Sequence, residues 1–199
     1  MALDNIFSTP LGRYEILSGS DQMTSDLANH LYEIEEEFSG DHDPYSLKGK
    51  SAFHSPANLV FGDDRTSVAL RRMIFDVCRL YADEQDIAFP PDLSGLKKFD
   101  CWGVILRQGD YSTTHSHPDC KFSGVLYVKV PESMSEEEGN LVLIDPRPGA
   151  RSSGLYGSRI FQVKPEQGVI YCFPNWLEHY VESHSCEGDR ISISWNIDW

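Results

Sequence analysis

The chain has 199 residues, 40% of them hydrophobic and 24% charged, a balance that excludes a disordered or fibrous chain and suits one folded domain. With 17 Lys and Arg against 31 Asp and Glu, the formal net charge is −14, which repels phosphate backbones and anionic lipid surfaces and argues against nucleic-acid or membrane partners. There is no apolar run near the ~20 residues of a membrane span and no secretory-type start. The 5 Cys lack C-x-x-C spacing and read as reduced thiols, so a cytoplasmic protein is expected.

Taken in chain order, two helices come first. From Asp21 to Phe38, Leu27, Leu31, Ile34 and Phe38 recur at helical spacing, and Gly40 is placed to stop the run. The acidic string Glu35–Glu37 is that helix's solvated side. From Ser67 to about Glu84, Leu70, Ile74, Val77 and Tyr81 form a second stripe, and Pro90-Pro91 ends the region. After Phe99 the period drops to two. Strand-like runs cover 101–107, 122–130, 140–144, 159–163, 169–173 and 190–197, separated by turn-forming clusters such as Gln108-Gly109-Asp110, Glu138-Gly139, Asp145-Pro146-Arg147-Pro148-Gly149 and Pro165-Glu166-Gln167-Gly168. No β–α alternation, G-x-G-x-x-G or P-loop supports a nucleotide-binding sheet. The expectation is one domain, 1–199: a helical layer over about 1–98 and an antiparallel sandwich or barrel over about 99–199.

Chemistry concentrates in the second half. In Thr113-Thr114-His115-Ser116-His117-Pro118-Asp119, His115 and His117 are two apart, so on extended backbone their imidazoles share a side. His179 follows another strand, about 60 residues on. Two ligands from one strand end and a third from a distant strand form a facial triad, which leaves adjacent coordination positions open for substrate, cosubstrate or oxygen. Three His with water also suits hydrolytic zinc, and His117-Pro118-Asp119 offers Asp119 as a competing ligand. From Arg190 to Ile197 the polar Arg190, Ser192, Ser194 and Asn196 alternate with Ile191, Ile193, Trp195 and Ile197. An edge strand facing water reads the same way. A polar face turned into a barrel would instead offer a guanidinium and hydroxyls to a carboxylate, with Tyr127, on the face of Ser123 and Val125, within reach of the same anion.

The ordered set His115-x-His117-Pro118, Ser123-Gly124-Val125-Leu126-Tyr127-Val128, Asp145-Pro146-Arg147, Pro165-x-x-Gly168, Phe173-Pro174-x-Trp176-Leu177-x-His179 and Arg190-Ile191-Ser192-Ile193-Ser194-x-Asn196 resembles the 2-oxoglutarate/Fe(II) oxygenase family related to prolyl hydroxylases, of a type found in phages and marine bacteria. The likeness spans roughly residues 50–199. It implies a mainly β protein with N-terminal helices and a double-stranded β-helix (jelly-roll, cupin-like) core with iron at its open end. His115 and His179 correspond to two ligand histidines, and His117 stands where the wider superfamily carries Asp. Arg190 with Ser192 or Ser194 and Tyr127 would hold the distal carboxylate of 2-oxoglutarate. The implied activity is a dioxygenase, a hydroxylase in particular, which uses Fe(II), 2-oxoglutarate and dioxygen and couples decarboxylation to succinate with substrate oxidation.

Two other readings stand beside it: a three-His cupin-type thiol dioxygenase needing no 2-oxoglutarate, and a non-catalytic jelly-roll binding module. The substrate is an unidentified small molecule or peptide, and a homodimer is left open. Tyr111, Arg147 and Trp176 lie on loops that could flank the barrel mouth, with Arg147 as an anchor for an acidic or peptide substrate. Glu136–Glu138 would disfavour an anionic partner if that loop overhangs the site.

Overall fold

The computed structural model describes residues 7–17, 22–38, 52–147 and 159–199. Asp21, Gly40 and the turn residues Pro148-Gly149 lie outside these. Among the described residues, ten strands and two α-helices follow in the order β1 (Gly12–Glu15), α1 (Gln22–Glu37), β2 (Phe53–His54), α2 (Arg65–Asp83), β3 (Lys98–Leu106), β4 (Ser112–His115), β5 (Phe122–Lys129), β6 (Leu141–Ile144), β7 (Ile160–Val163), β8 (Val169–Pro174), β9 (His179–Val181) and β10 (Arg190–Asp198). They build two antiparallel sheets, a larger one in the order β1-β8-β5-β10-β3-β2 and a smaller one in the order β4-β9-β6-β7. Interleaving of early and late strands in both sheets is the winding of a double-stranded β-helix.

The helices form where the apolar stripes require them. α1 buries Leu27, Ala28 and Leu31, whereas Phe38 falls past its last turn and stays exposed. α2 begins two residues before the apolar run, because Asp64 extends there and accepts from the amides of Thr66 and Ser67. That cap satisfies donors that a helix N-terminus otherwise leaves unpaired. Both helices cover the outer face of the larger sheet, where Leu31, Ile74, Val77 and Tyr81 join Ile191, Ile193, Trp195 and Ile197 in one core. The fit is close enough that a Cβ at Gly103 would lie 2.0 Å from Leu31 Cδ2, so the helix seats directly on bare backbone.

The first half is not purely helical. β1 pairs with β8, and β2 with β3, extending both edges of the larger sheet. These strands are four and two residues long, too short to show a period, and they exist because an established edge offers unpaired backbone groups. The inner faces of the two sheets enclose a second core of Val125, Tyr127, Leu141, Leu143, Val163, Tyr171 and Phe173. The polar side of β10 turns into this space: Arg190 and Ser192 are 1% and 3% exposed, which excludes the water-facing edge-strand reading of its alternation.

Candidate metal and anion site

Sheet pairing, rather than sequence proximity, assembles the histidines. β4 pairs with β9 so that His115 lies directly opposite His179, past an irregularity in the register. The chain then leaves β4, and the His117 amide donates to the Asn175 carbonyl at 2.9 Å. This ties the His117 turn to the loop that precedes His179. One ring nitrogen from each of His115, His117 and His179 falls within 4.8 Å of the other two.

Backbone carbonyls set the tautomers. His115 Nδ1 donates to Thr113 O at 2.7 Å, and His179 Nδ1 donates to Leu177 O at 2.8 Å. A neutral ring protonated at Nδ1 presents the Nε2 lone pair, and a fixed outer hydrogen bond is what orients a metal-ligating imidazole. Nε2 of His117 and Nε2 of His179 approach to 3.3 Å, so the two rings turn these nitrogens toward the same point. Burial pushes His117 down to about 4 and His179 down to about 3, with the charge of His115 adding to the effect. Both are therefore neutral at pH 7, the form that donates to a cation. Phe173 packs against His179 with ring centroids 5.0 Å apart. Asp119 is exposed in the following turn and is not part of the cluster.

The same interior holds a charge without a counter-charge. Arg190 is 1% exposed; its Nε donates to Gly139 O at 3.0 Å, and its Nη1 reaches Ser192 Oγ at 3.5 Å. No carboxylate pairs with it among the described residues. Its guanidinium lies 5.0 Å over the Tyr127 ring, and among the described residues the buried Tyr127 hydroxyl has no hydrogen-bond partner. Burial raises Tyr127 to about 12, opposed by the Arg190 charge, so the phenol keeps its proton as a donor. A buried cation and an orphaned O–H side by side are costly unless an anion completes them. Ser192 faces Tyr127 across the ladder, and Ser194, two residues further along β10, faces Val125. The donors fit a carboxylate here, as the histidines fit a divalent cation.

Comparison with known proteins then decides the family. Residues 100–196 match the family model described as "Putative 2OG-Fe(II) oxygenase". This β-helix half belongs to the 2OG-Fe(II) oxygenase family. Enzymes of this family use Fe(II), 2-oxoglutarate and dioxygen, so the thiol-dioxygenase and binding-module readings give way. Among solved structures, a prolyl-4-hydroxylase from Pseudomonas putida superposes with a TM-score of 0.66 at 15% identity, covering 96% of this chain and 93% of that one. HygX from Streptomyces hygroscopicus, with nickel and 2-oxoglutarate bound, gives 0.63 at 12% identity over 96% and 83%. The viral collagen prolyl hydroxylase from Paramecium Bursaria Chlorella virus-1 gives 0.56 at 13% identity, with 94% of each chain covered. These share the fold. No curated protein matches this chain in sequence.

Around this candidate site, several residues carry more than their sequence context suggested. Trp102, opposite Ser194 on β3, sets its ring 6.0 Å from that of His117. Ser123 Oγ donates to Asn196 Oδ1 at 2.7 Å beside it. Phe161 lies in register with Leu143, which pairs with His179, which pairs with His115, so all four share one face of the smaller sheet. Phe161 is 62% exposed all the same. Alternation along β7 was its available signal, but only cross-strand register aligns it with the histidines. Of the loop residues, Tyr111 and Trp176 are exposed, whereas the Arg147 guanidinium is engaged by its neighbour Asp145 at 2.6 and 2.9 Å. Its charge is thus locally answered, which weakens it as an anchor for an acidic substrate. Glu136 pairs with Lys164, and Glu138 accepts from the Ser185 amide.

Proposed function

We propose that this oxygenase is a hydroxylase in which His115, His117 and His179 hold Fe(II), while Arg190 and Tyr127, assisted by Ser192 and Ser194, hold the distal carboxylate of 2-oxoglutarate. The observation that carries the reading is the convergence of three imidazoles beside a buried guanidinium that has no carboxylate partner among the described residues. When bound, Fe(II), 2-oxoglutarate and dioxygen supply the oxidising power for the overall change R–H + 2-oxoglutarate + O2 → R–OH + succinate + CO2.

The protein's own part is placement and protection. Nδ1–H bonds to Thr113 and Leu177 keep two ligand rings in the donor tautomer. Arg190 and the Tyr127 hydroxyl neutralise and orient the far end of the diacid, and the apolar lining of Val125, Leu143 and Phe173 keeps water from the reacting face. Three neutral imidazoles leave the site one unit more positive than two imidazoles and a carboxylate would. Phe161 and Trp176 offer exposed rings to an apolar part of a small-molecule or peptide substrate.

Anaerobic addition of Fe(II) and then 2-oxoglutarate tests the assignment through the visible charge-transfer absorption of the chelate. His179→Ala is expected to abolish the band. Arg190→Ala is expected to keep metal binding while shifting half-saturation by 2-oxoglutarate at least tenfold higher. A band that survives loss of His115 or His179 overturns the ligand set.

A further inference from the structure

The guanidinium of Arg190 is held from outside its own strand. Its Nε donates to the carbonyl of Gly139, 51 residues earlier in the chain and in the turn just before β6, at 3.0 Å. Gly139 is itself secured: its amide donates to the Ser183 carbonyl at 3.1 Å, and it is buried. Its φ is +65°, in the left-handed region that glycine occupies freely and side chains resist. A Cβ there would lie 2.6 Å from Met134 Sδ and 3.6 Å from Arg190 Cδ. Met134 thus folds back over a residue with no side chain, and the aliphatic stem of Arg190 borders the same space. One edge of the guanidinium is occupied by this turn, and its Nη1/Nη2 side remains for a ligand beside the Tyr127 ring.

We infer that Gly139 is a positioning residue for the cosubstrate: its carbonyl sets the orientation in which Arg190 presents its free edge to the distal carboxylate, and the missing side chain lets Met134 close behind it. This rests on the assignment of Arg190 to that carboxylate. Replacing Gly139 by a β-branched residue strains the left-handed backbone and displaces the carbonyl from Nε. The effect falls on ligands that use Arg190 and spares those that need only the metal.

The test compares two ligands on the Mn(II)-loaded, anaerobic full-length protein by calorimetry: 2-oxoglutarate, which has a distal carboxylate, and oxalate, which has none. Gly139→Val is expected to raise the Kd of 2-oxoglutarate at least tenfold and to leave that of oxalate within twofold. Gly139→Ala, the milder change, should raise the first about threefold, and adding Met134→Ala to it should recover part of the loss by clearing the Cβ contact. Equal weakening of both ligands, or of neither, in both Gly139 variants overturns the inference. Arg190→Ala separates the two levels: if it too leaves the 2-oxoglutarate to oxalate ratio unchanged, the cosubstrate assignment itself fails. If Arg190→Ala raises the ratio and the Gly139 variants do not, the positioning role alone fails.

Discussion

Tyr127 carries the most informative single atom in the molecule. Its hydroxyl is buried and unpaired, while removing a hydroxyl from such a place relieves a desolvation cost of about 1 kcal/mol or more. Tyr127→Phe is therefore expected to leave the ligand-free protein as stable as wild type or about 1 kcal/mol more stable in a denaturant titration, yet to weaken 2-oxoglutarate binding several-fold. A structural tyrosine would lose stability instead. At the proposed metal site, Asp119 is exposed and outside the histidine cluster, so Asp119→Asn is expected to keep Fe(II) affinity within about twofold in a competition titration. Loss of metal in that variant would restore His117-Pro118-Asp119 as the ligand frame.

At the scale of elements, α1 reaches across to the start of β10. Arg107, just past the end of β3, makes a two-point ion pair with Glu35 of α1, with Nη1 and Nη2 at 2.8 and 2.7 Å from the two carboxylate oxygens, so of the acidic string only Glu36 and Glu37 form the solvated side; the Arg107 Nε lies 3.4 Å from Asp189. Tyr32 of α1 donates its hydroxyl to Asp189 at 2.6 Å. Asp189 immediately precedes Arg190, so the helical layer braces the strand end that carries the guanidinium. Arg107→Ala is expected to cost about 1 kcal/mol of stability, the modest value of a partly exposed ion-pair network. It should also raise the Kd of 2-oxoglutarate by a smaller factor than any change at Arg190. α2 depends on its cap: Asp64→Ala should destabilise by about 1 kcal/mol at pH 7. Hydrogen bonds from Ser67 hold the Asp64 carboxyl below its ordinary 3.8, so this contribution is complete above that value and fades as pH falls through the lowered one. The difference between wild type and Asp64→Ala in thermal unfolding should accordingly shrink in strong acid.

For the whole molecule, the proposed ligands span its two sheets. The histidines belong to the smaller sheet and the turns beside it, Arg190 and Tyr127 to the larger. A metal alone stabilises one side, whereas metal and diacid together tie both. At ligand concentrations near 100 times Kd, linkage contributes about 2.7 kcal/mol, which for a chain of this size raises Tm by roughly 5–10 °C. Mn(II) with 2-oxoglutarate is expected to raise Tm by more than the sum of the two added separately. Strict additivity in the same scans would place the two sites apart.

Alternation along the chain was enough to mark the principal strands, the amphipathic helices and the polar face of β10, because periodicity of two or 3.6 is a local property that each segment carries by itself. Likewise, His115-x-His117 and His179 were visible as donors, and Arg190 as a cation among hydroxyls. Other features had no local signature. β1, β2, β4 and β9 run for two to four residues and are defined by the strands they pair with. The opposition of His115 to His179, the alignment of Phe161 with both, the absence of a carboxylate beside Arg190 among the described residues and the reach of Gly139 to its Nε all depend on register between distant segments. Side-chain type and spacing are written in the chain, but which groups meet, and which buried charge is left waiting for a ligand, is decided only when two sheets close on one another.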